Sequence, residues 1–481
     1  MPPIQQQATA VPTGTPIHKL AAELLIEIFI LVPNDTHSSR WPQTVPLRLS
    51  AVCRSWRCIA IGTPRLWLKL SFWRVLHLPA GSQQNAQTLA GVARDLLRRS
   101  APHAISIEFE PHLHTAGDRR VAQALWDEIV QVADRWRKIY LGVDVLSLLH
   151  DTSPRNLPRL RHLKISSDSS LYVDSRISHP EITFFADAPQ LSQSELNNLP
   201  NALCVALPWT QLKTVDLSSF RPSRFHYFEI LPRCTALVDL FLVVRAWSED
   251  DPSVPPETSP IEFPALRYLK LELSLNEDNE DGVGVFDAFF LRVHAPKLLS
   301  LDLNCGGYDE EQVELAGIGT FLGRSPLVDN ITIKQCATLL RGNYVLEILD
   351  LVPSVTKLRF IHCSEVVNDA VLQRLTYHAS DPNPAAPCLE VFEAISECKE
   401  FDEDVALEMI ASRWNIPSPA PVARWKRLFW AGSRAELCHT EHFQQELRRF
   451  ATEGLNVDVD FEGMRALGTI RVGDWGQEAA R

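Results

Sequence analysis

The chain has 481 residues, 45% hydrophobic and 22% charged, with 12 Trp and 21 Phe. That composition builds folded cores and excludes extended disorder over most of the length. Acidic residues outnumber basic ones, 59 to 47, for a formal net charge of −12, which argues against nucleic acid or an anionic membrane as a partner.

In chain order, residues 1–15 are polar and Pro-rich and predict a disordered leader without the features of a signal peptide. The segment KLAAELLIEIFILVP (19–33) follows. Leu20, Leu24, Ile28 and Leu31 share one helical face, and Leu25, Phe29 and Val32 share a neighbouring one. A helix apolar over so much of its surface is deeply buried or meets a second chain. Its run LLIEIFILV carries Glu27 and falls far short of the roughly 18 apolar residues of a membrane span. A second helix is expected over 45–60, with Leu49, Val52, Cys53, Trp56, Ile59 and Ala60 on one face. TPRLWLKL (63–70) completes a small helical unit that is marginal alone.

From about residue 100 an apolar triplet spaced L-x-x-L-x-L recurs. Clear copies are LPRLRHLKI (157–165), WTQLKTVDL (209–217), CTALVDLFL (234–242), FPALRYLKL (263–271), APKLLSLDL (295–303), SPLVDNITI (325–333) and VPSVTKLRF (352–360). Weaker copies begin near 103, 135, 188, 387 and 423. The intervals run from 21 to 36 residues and average about 29, at the upper end of leucine-rich-repeat lengths. Amphipathic helices are expected between triplets at 119–136, 285–293, 344–352, 402–414 and 441–451, with a closing strand at 455–461. Repeated strand–loop–helix units make a curved parallel sheet with helices on one side.

Ten cysteines occur without a C-x-x-C pair, which points to reduced thiols. Cys336 and Cys363 stand at one repeat position, just after the strand, and resemble the cysteine of cysteine-containing leucine-rich repeats. A buried structural role outweighs a metal or nucleophilic one.

The N-terminal residues Leu20, Glu23, Leu24, Leu25, Ile28, Phe29, Leu49, Val52, Cys53, Arg54, Trp56, Arg57, Ile59, Ala60, Leu66 and Trp67 stand in the order of the pattern of the F-box family. The segment 16–72 resembles that module, with Ala21 where the family has proline and a long 33–45 loop. The resemblance implies docking on a Skp-type adaptor, and through it a cullin. The adaptor surface expected is Leu20, Leu24, Leu25, Ile28, Phe29, Leu49, Val52, Cys53, Trp56, Ile59 and Trp67. It also implies substrate recognition by the downstream repeats.

No G-x-S-x-G or P-loop occurs, and the acidic loop 276–288 lacks the Glu that closes a calcium loop. HTEH (439–442) reads as surface before it reads as a metal site. No catalytic residue, metal or cofactor is expected. In a solenoid, the outward positions beside each triplet face the concave side. There Asp239, Phe241, Tyr268, Lys270, Asp302, Lys334, Lys357 and Arg359 are the substrate-binding candidates. Phe241 and Tyr268 among mixed charges suit protein recognition, and charges alternating in sign do not indicate a phosphate- or nucleic-acid-specific surface.

The expected organisation is a leader (1–15), an all-α three-helix F-box (16–72), an irregular α/β leucine-rich-repeat solenoid (73–462) and a tail (463–481). The expected function is the substrate-recognition subunit of an SCF-type (cullin–RING) ubiquitin ligase, non-catalytic, in cytoplasm or nucleus, with an unidentified protein substrate. The alternative is an F-box/repeat interaction scaffold acting outside a cullin ligase.

Overall fold

In the computed structural model, the described residues are 17, 20–32, 44–72, 83–166, 181–199, 204–218, 227–245, 260–274, 284–305, 313–335, 342–363, 367–396, 401–417, 421–432 and 440–460, apart from a few single positions within them. The expected leader and tail, most of the 33–45 loop, most of the 276–288 loop, Cys336 and His439 lie outside them. The chain divides into two compact units, residues 1–193 with 202–208, and residues 194–201 with 209–481.

The first unit opens with helices α1 (Ala22–Leu31), α2 (Thr44–Val52) and α3 (Arg54–Gly62), followed by a 3-10 turn at Pro64–Trp67. The single helix expected at 45–60 is thus two. Cys53 is extended (φ −157°, ψ 173°) and its Sγ accepts from the Trp56 N–H at 3.4 Å. It therefore serves as the N-cap of α3. The Phe29 and Trp56 rings, 4.7 Å apart, join α1 to α3, and Trp67 Nε1 donates to the Ala60 carbonyl at 2.8 Å. Leu25, Phe29, Ala60 and Trp67 are among the buried residues of this module.

Strand β1 (Lys69–Ser71) follows at once and pairs in parallel with β2 (Ile105–Phe109). The helical segment expected to end at residue 72 therefore already contains the first strand of the sheet. Helix α4 (Gln83–Arg99) joins β1 to β2, and α5 (Ala116–Val130) leads to β3 (Trp136–Gly142) and then β4 (His162–Ser166). All pairings are parallel. Thr115 and Asp118 form a reciprocal capping box at the start of α5. Arg94 on α4 grips Glu128 on α5 through two bonds, of 2.9 and 2.5 Å.

In the second unit the ladder strands are β5 (Gln193–Leu196, its first residue in the other unit), β6 (Thr214–Leu217), β7 (Asp239–Arg245), β8 (Tyr268–Ser274), β9 (Ser300–Asn304), β10 (Asn330–Lys334), β11 (Lys357–Ile361), β12 (Val391–Ser396), β13 (Arg427–Gly432) and β14 (Asn456–Asp460). From β6 to β14 each pairs in parallel with the next. The expected helices appear at Gly342–Leu351, Glu403–Trp414 and Glu441–Thr452, and helices are also found at Ala316–Gly323 and Asp369–Leu375. The helix expected at 285–293 shrinks to Asp287–Phe290, flanked by two-residue strands.

The triplet sets this architecture. Leu266, Leu298, Val328, Val355 and Leu389, the first apolar residues of five copies, are all buried, as are the second and third of each strand. Truncating such a leucine to alanine costs about 2–5 kcal/mol. The backbone before each strand repeats one bond pattern. The Leu299 carbonyl accepts from the Asp329 and Asn330 N–H groups at 2.9 and 3.1 Å, and the Asp329 carbonyl from Thr356 and Lys357 at 2.8 and 3.0 Å. Each turn is thereby stapled to the one before it, which keeps register through spacings as different as 27 residues (Ile331 to Leu358) and 36 (Phe392 to Leu428). This is a leucine-rich-repeat-like α/β arrangement.

After β10 and β11 the chain turns through Gln335 (φ 54°) and His362 (φ 56°), left-handed positions at one repeat site. The next residue after His362, Cys363, is buried, and its thiol donates to the Ile333 and Ile361 carbonyls at 3.4 Å. Cys305, also buried, is disulfide-bonded, which corrects the expectation of ten reduced thiols.

Candidate functional site

Two surfaces, one in each unit, carry side chains suited to recognition. In the first unit the two apolar stripes of α1 take opposite fates. Leu25 and Phe29 are 4% and 1% exposed, whereas Leu24, Leu31 and, on α2, Val52 are 55%, 77% and 58% exposed. Leu20, Ile28, Val32, Leu47 and Ile61 are exposed as well. An apolar group this dense on one small module marks an interaction surface. Arg65 in the 3-10 turn holds Glu27 at 2.8 Å and orients α1 from its polar side.

The expected adaptor residues therefore divide. Leu20, Leu24, Ile28 and Val52 are open, Leu49, Cys53, Trp56 and Ile59 are half-buried, and Leu25, Phe29 and Trp67 are inside the module. These last three close the helices on one another and are not surface. Leu31, Val32 and Leu47 belong to the open group, although the family pattern does not include them. For Leu31 and Val32 the signal was the apolar face of 19–33 itself.

In the second unit the sheet has two faces. Leu240, Leu269, Leu301, Ile331, Leu358 and Phe392 lie in one register row and are buried on the helix side. The alternate residues form the other face, as the pleat requires. One of its rows runs Asp216, Phe241, Lys270, Asp302, Thr332, Arg359, Glu393, Phe429, and a second runs Thr214, Asp239, Tyr268, Ser300, Asn330, Lys357, Val391, Arg427. All eight substrate-binding candidates lie on this face. Asp302 is nearly buried, and the other seven are half-buried.

The face is internally bonded. Lys334 Nζ donates to Asp302 Oδ2 at 2.7 Å and the Tyr268 hydroxyl to the same oxygen at 3.4 Å. Arg359 Nε lies 2.7 Å from Glu393 Oε2, and Arg427 lies 3.7 Å from Oε1. Thr214 Oγ1 donates to Asp239 at 3.0 Å, and Ser218 donates through both its N–H and hydroxyl to Asp216. The Phe241 and Tyr268 rings tilt together at 5.4 Å.

The charges are unevenly distributed over the strands. On β6 to β9 stand Asp216, Asp239, Glu272 and Asp302, with Lys270 and, at the register position beside Ser274, Arg245 opposed. Glu195 on β5 adds its field at Asp216. On β10 to β13 stand Lys334, Lys357, Arg359 and Arg427, with Glu393 opposed. Burial first of all raises the carboxyls of Asp216, Asp239 and Glu272 above their ordinary range. Lys270 opposes the rise at Asp216 and Glu272, as hydroxyl bonds do at Asp216 and Asp239. Burial, then the Asp302 charge, raises the Tyr268 phenol too, so it stays a donor at neutral pH.

Among the described residues no His/Cys/Asp/Glu group could hold a metal ion, and no helix is long and apolar enough to cross a membrane. No family model and no curated protein matches the chain. Among solved structures, one described as a TLR13–ssRNA13 complex is similar at 12% identity, with a TM-score of 0.24, over 69% of this chain. The match spans about half of that protein's length, 52%. A likeness of that degree carries no argument here.

Proposed function

We propose that the chain is a non-catalytic substrate-recognition subunit of an SCF-type ubiquitin ligase. In this reading the α1–α3 module is an F-box that docks a Skp-type adaptor and, through it, a cullin. The polar sheet face of the second unit receives a protein substrate. One observation carries the reading: along α1, Leu20, Leu24, Ile28 and Leu31 are exposed while Leu25 and Phe29 are buried. The buried pair is enough to close the module, so the exposed row has no internal task. The order of F-box residues from Leu20 to Trp67 supports the same partner. Transfer chemistry resides in other subunits of such a ligase, so no catalytic residue is assigned.

Affinity capture with the full chain tests this. Wild type is expected to recover a Skp-type adaptor and a cullin, and Leu24→Asp with Ile28→Asp to recover neither at unchanged helical content. Both positions are exposed, so the substitutions leave the core intact. Wild type that recovers no adaptor, or a double variant that recovers as much, overturns the reading. Adaptor without cullin would assign the chain to a scaffold acting outside the ligase.

A further inference from the structure

We infer that the sheet face of the second unit selects a dipolar protein segment, with basic residues lying over β6–β8 and acidic residues over β10–β13. The inference rests on the reading of this face as the substrate surface and adds the chemistry and direction of what binds there.

Three observations converge. Charges are unequal along the ladder, four carboxylates against Lys270 and Arg245 from β6 to β9 and four cations against Glu393 from β10 to β13. The internal pairs do not erase this polarity. Lys334–Asp302 bridges the boundary, and Arg359 and Arg427 both lie against Glu393. On the acidic side, Asp216 and Asp239 accept hydrogen bonds from neutral hydroxyl and amide groups. Burial strips water from these two carboxylates, and an incoming cation would offset that cost.

The aromatic pair Phe241 and Tyr268 lies among the carboxylates and offers ring faces to the same cation. On the basic side Val391, Ile361, Ile395 and Phe429 are half-buried between the cations, where the apolar part of a segment can rest. A purely acidic or purely basic partner would meet repulsion at one end, so polarity acts as a filter as well as an attraction.

Strand spacing sets the scale. From β7 to β11 is four ladder steps, about 19 Å at roughly 4.8 Å each. An extended segment covers that with about six residues.

The test uses the full chain and three fluorescein-labelled peptides of equal length with neutral spacers of about six residues. One has Lys-Lys at one end and Asp-Asp at the other, one has Lys-Lys at both ends, and one has Asp-Asp at both. Fluorescence anisotropy is expected to show the dipolar peptide binding about tenfold or more tightly than either other peptide at low salt, with the advantage shrinking at high salt. Asp239→Asn with Glu272→Gln, which keeps shape while removing charge, should abolish its advantage over the Asp-Asp peptide. Equal binding of all three, binding of none, or a preference unmoved by the substitutions overturns the inference. Adaptor capture by the same variant is expected to be unchanged. Loss of adaptor capture by wild type with the dipolar preference intact would instead sink the ligase reading alone.

Discussion

Lys334 Nζ stands 2.7 Å from Asp302 Oδ2 across adjacent strands, and it is the cation that lets this nearly buried carboxylate exist on the sheet face. The Tyr268 hydroxyl adds a longer bond from the opposite side. Removing the lysine leaves a buried charge with one weak neutral donor, whereas removing both charges removes the conflict. Lys334→Met is therefore expected to destabilise by about 3 kcal/mol, and Lys334→Met with Asp302→Asn by clearly less. Urea denaturation of the two variants checks the order. A single variant no less stable than the double would refute it.

The carboxylates Asp216, Asp239 and Glu272 predict a pH dependence of known sign. Burial raises each above its ordinary value of 3.8 or 4.5. The folded chain thus holds these protons more tightly than the unfolded chain does. Their stabilising contribution is full below the ordinary values and is lost as pH rises through the raised ones. The variant Asp216→Asn, Asp239→Asn, Glu272→Gln is expected to melt higher than wild type at neutral pH. The gap should close as pH falls to about 4. Melting curves across that range decide it, and a gap that widens on acidification would contradict the assignment.

Arg413, on the Glu403–Trp414 helix, is wholly buried and donates to three backbone carbonyls: Leu375 at 2.8 Å, Ala386 at 3.2 Å and Ala385 at 2.5 Å. Desolvation brings it down to about 10, so it stays charged at neutral pH. Arg413→Leu orphans three acceptors at once and should cost about 3–5 kcal/mol. Hydrogen exchange should report the loss around 375–389 first. Arg413→Lys, a point charge without the fork, is expected to recover only part of it.

Gln335 sits at φ 54° with an exposed side chain, a conformation that only glycine adopts without cost. Gln335→Gly is expected to stabilise by about 0.5–1 kcal/mol, and Gln335→Val to destabilise by at least as much. Chemical denaturation distinguishes these signs.

Much of the repeat architecture was legible because a period of two inside an irregular longer period has one physical solution. Leu237, Leu240 and Leu242, or Val355, Leu358 and Phe360, can be buried together only on strands laid side by side. The cysteine after the strand was legible for the same reason, since Cys363 turns inward at a fixed point of the unit. Strand Lys69–Ser71 was not, because three residues are too few to show a period. The break at Cys53 was hidden because the apolar spacing continues across it, and only the extended backbone there reveals two helices.

Sequence alone determined which residues are apolar, which are charged, and how far apart they recur. Tertiary structure decided which of the two stripes of α1 is spent on the core, because only packing against Trp56 makes Phe29 interior while Leu24 stays outside. It also decided which charges share a face. Register sets Asp239 beside Tyr268, Lys270 beside Asp302 and Asn304 beside Lys334, all at alternate positions to the buried leucine row.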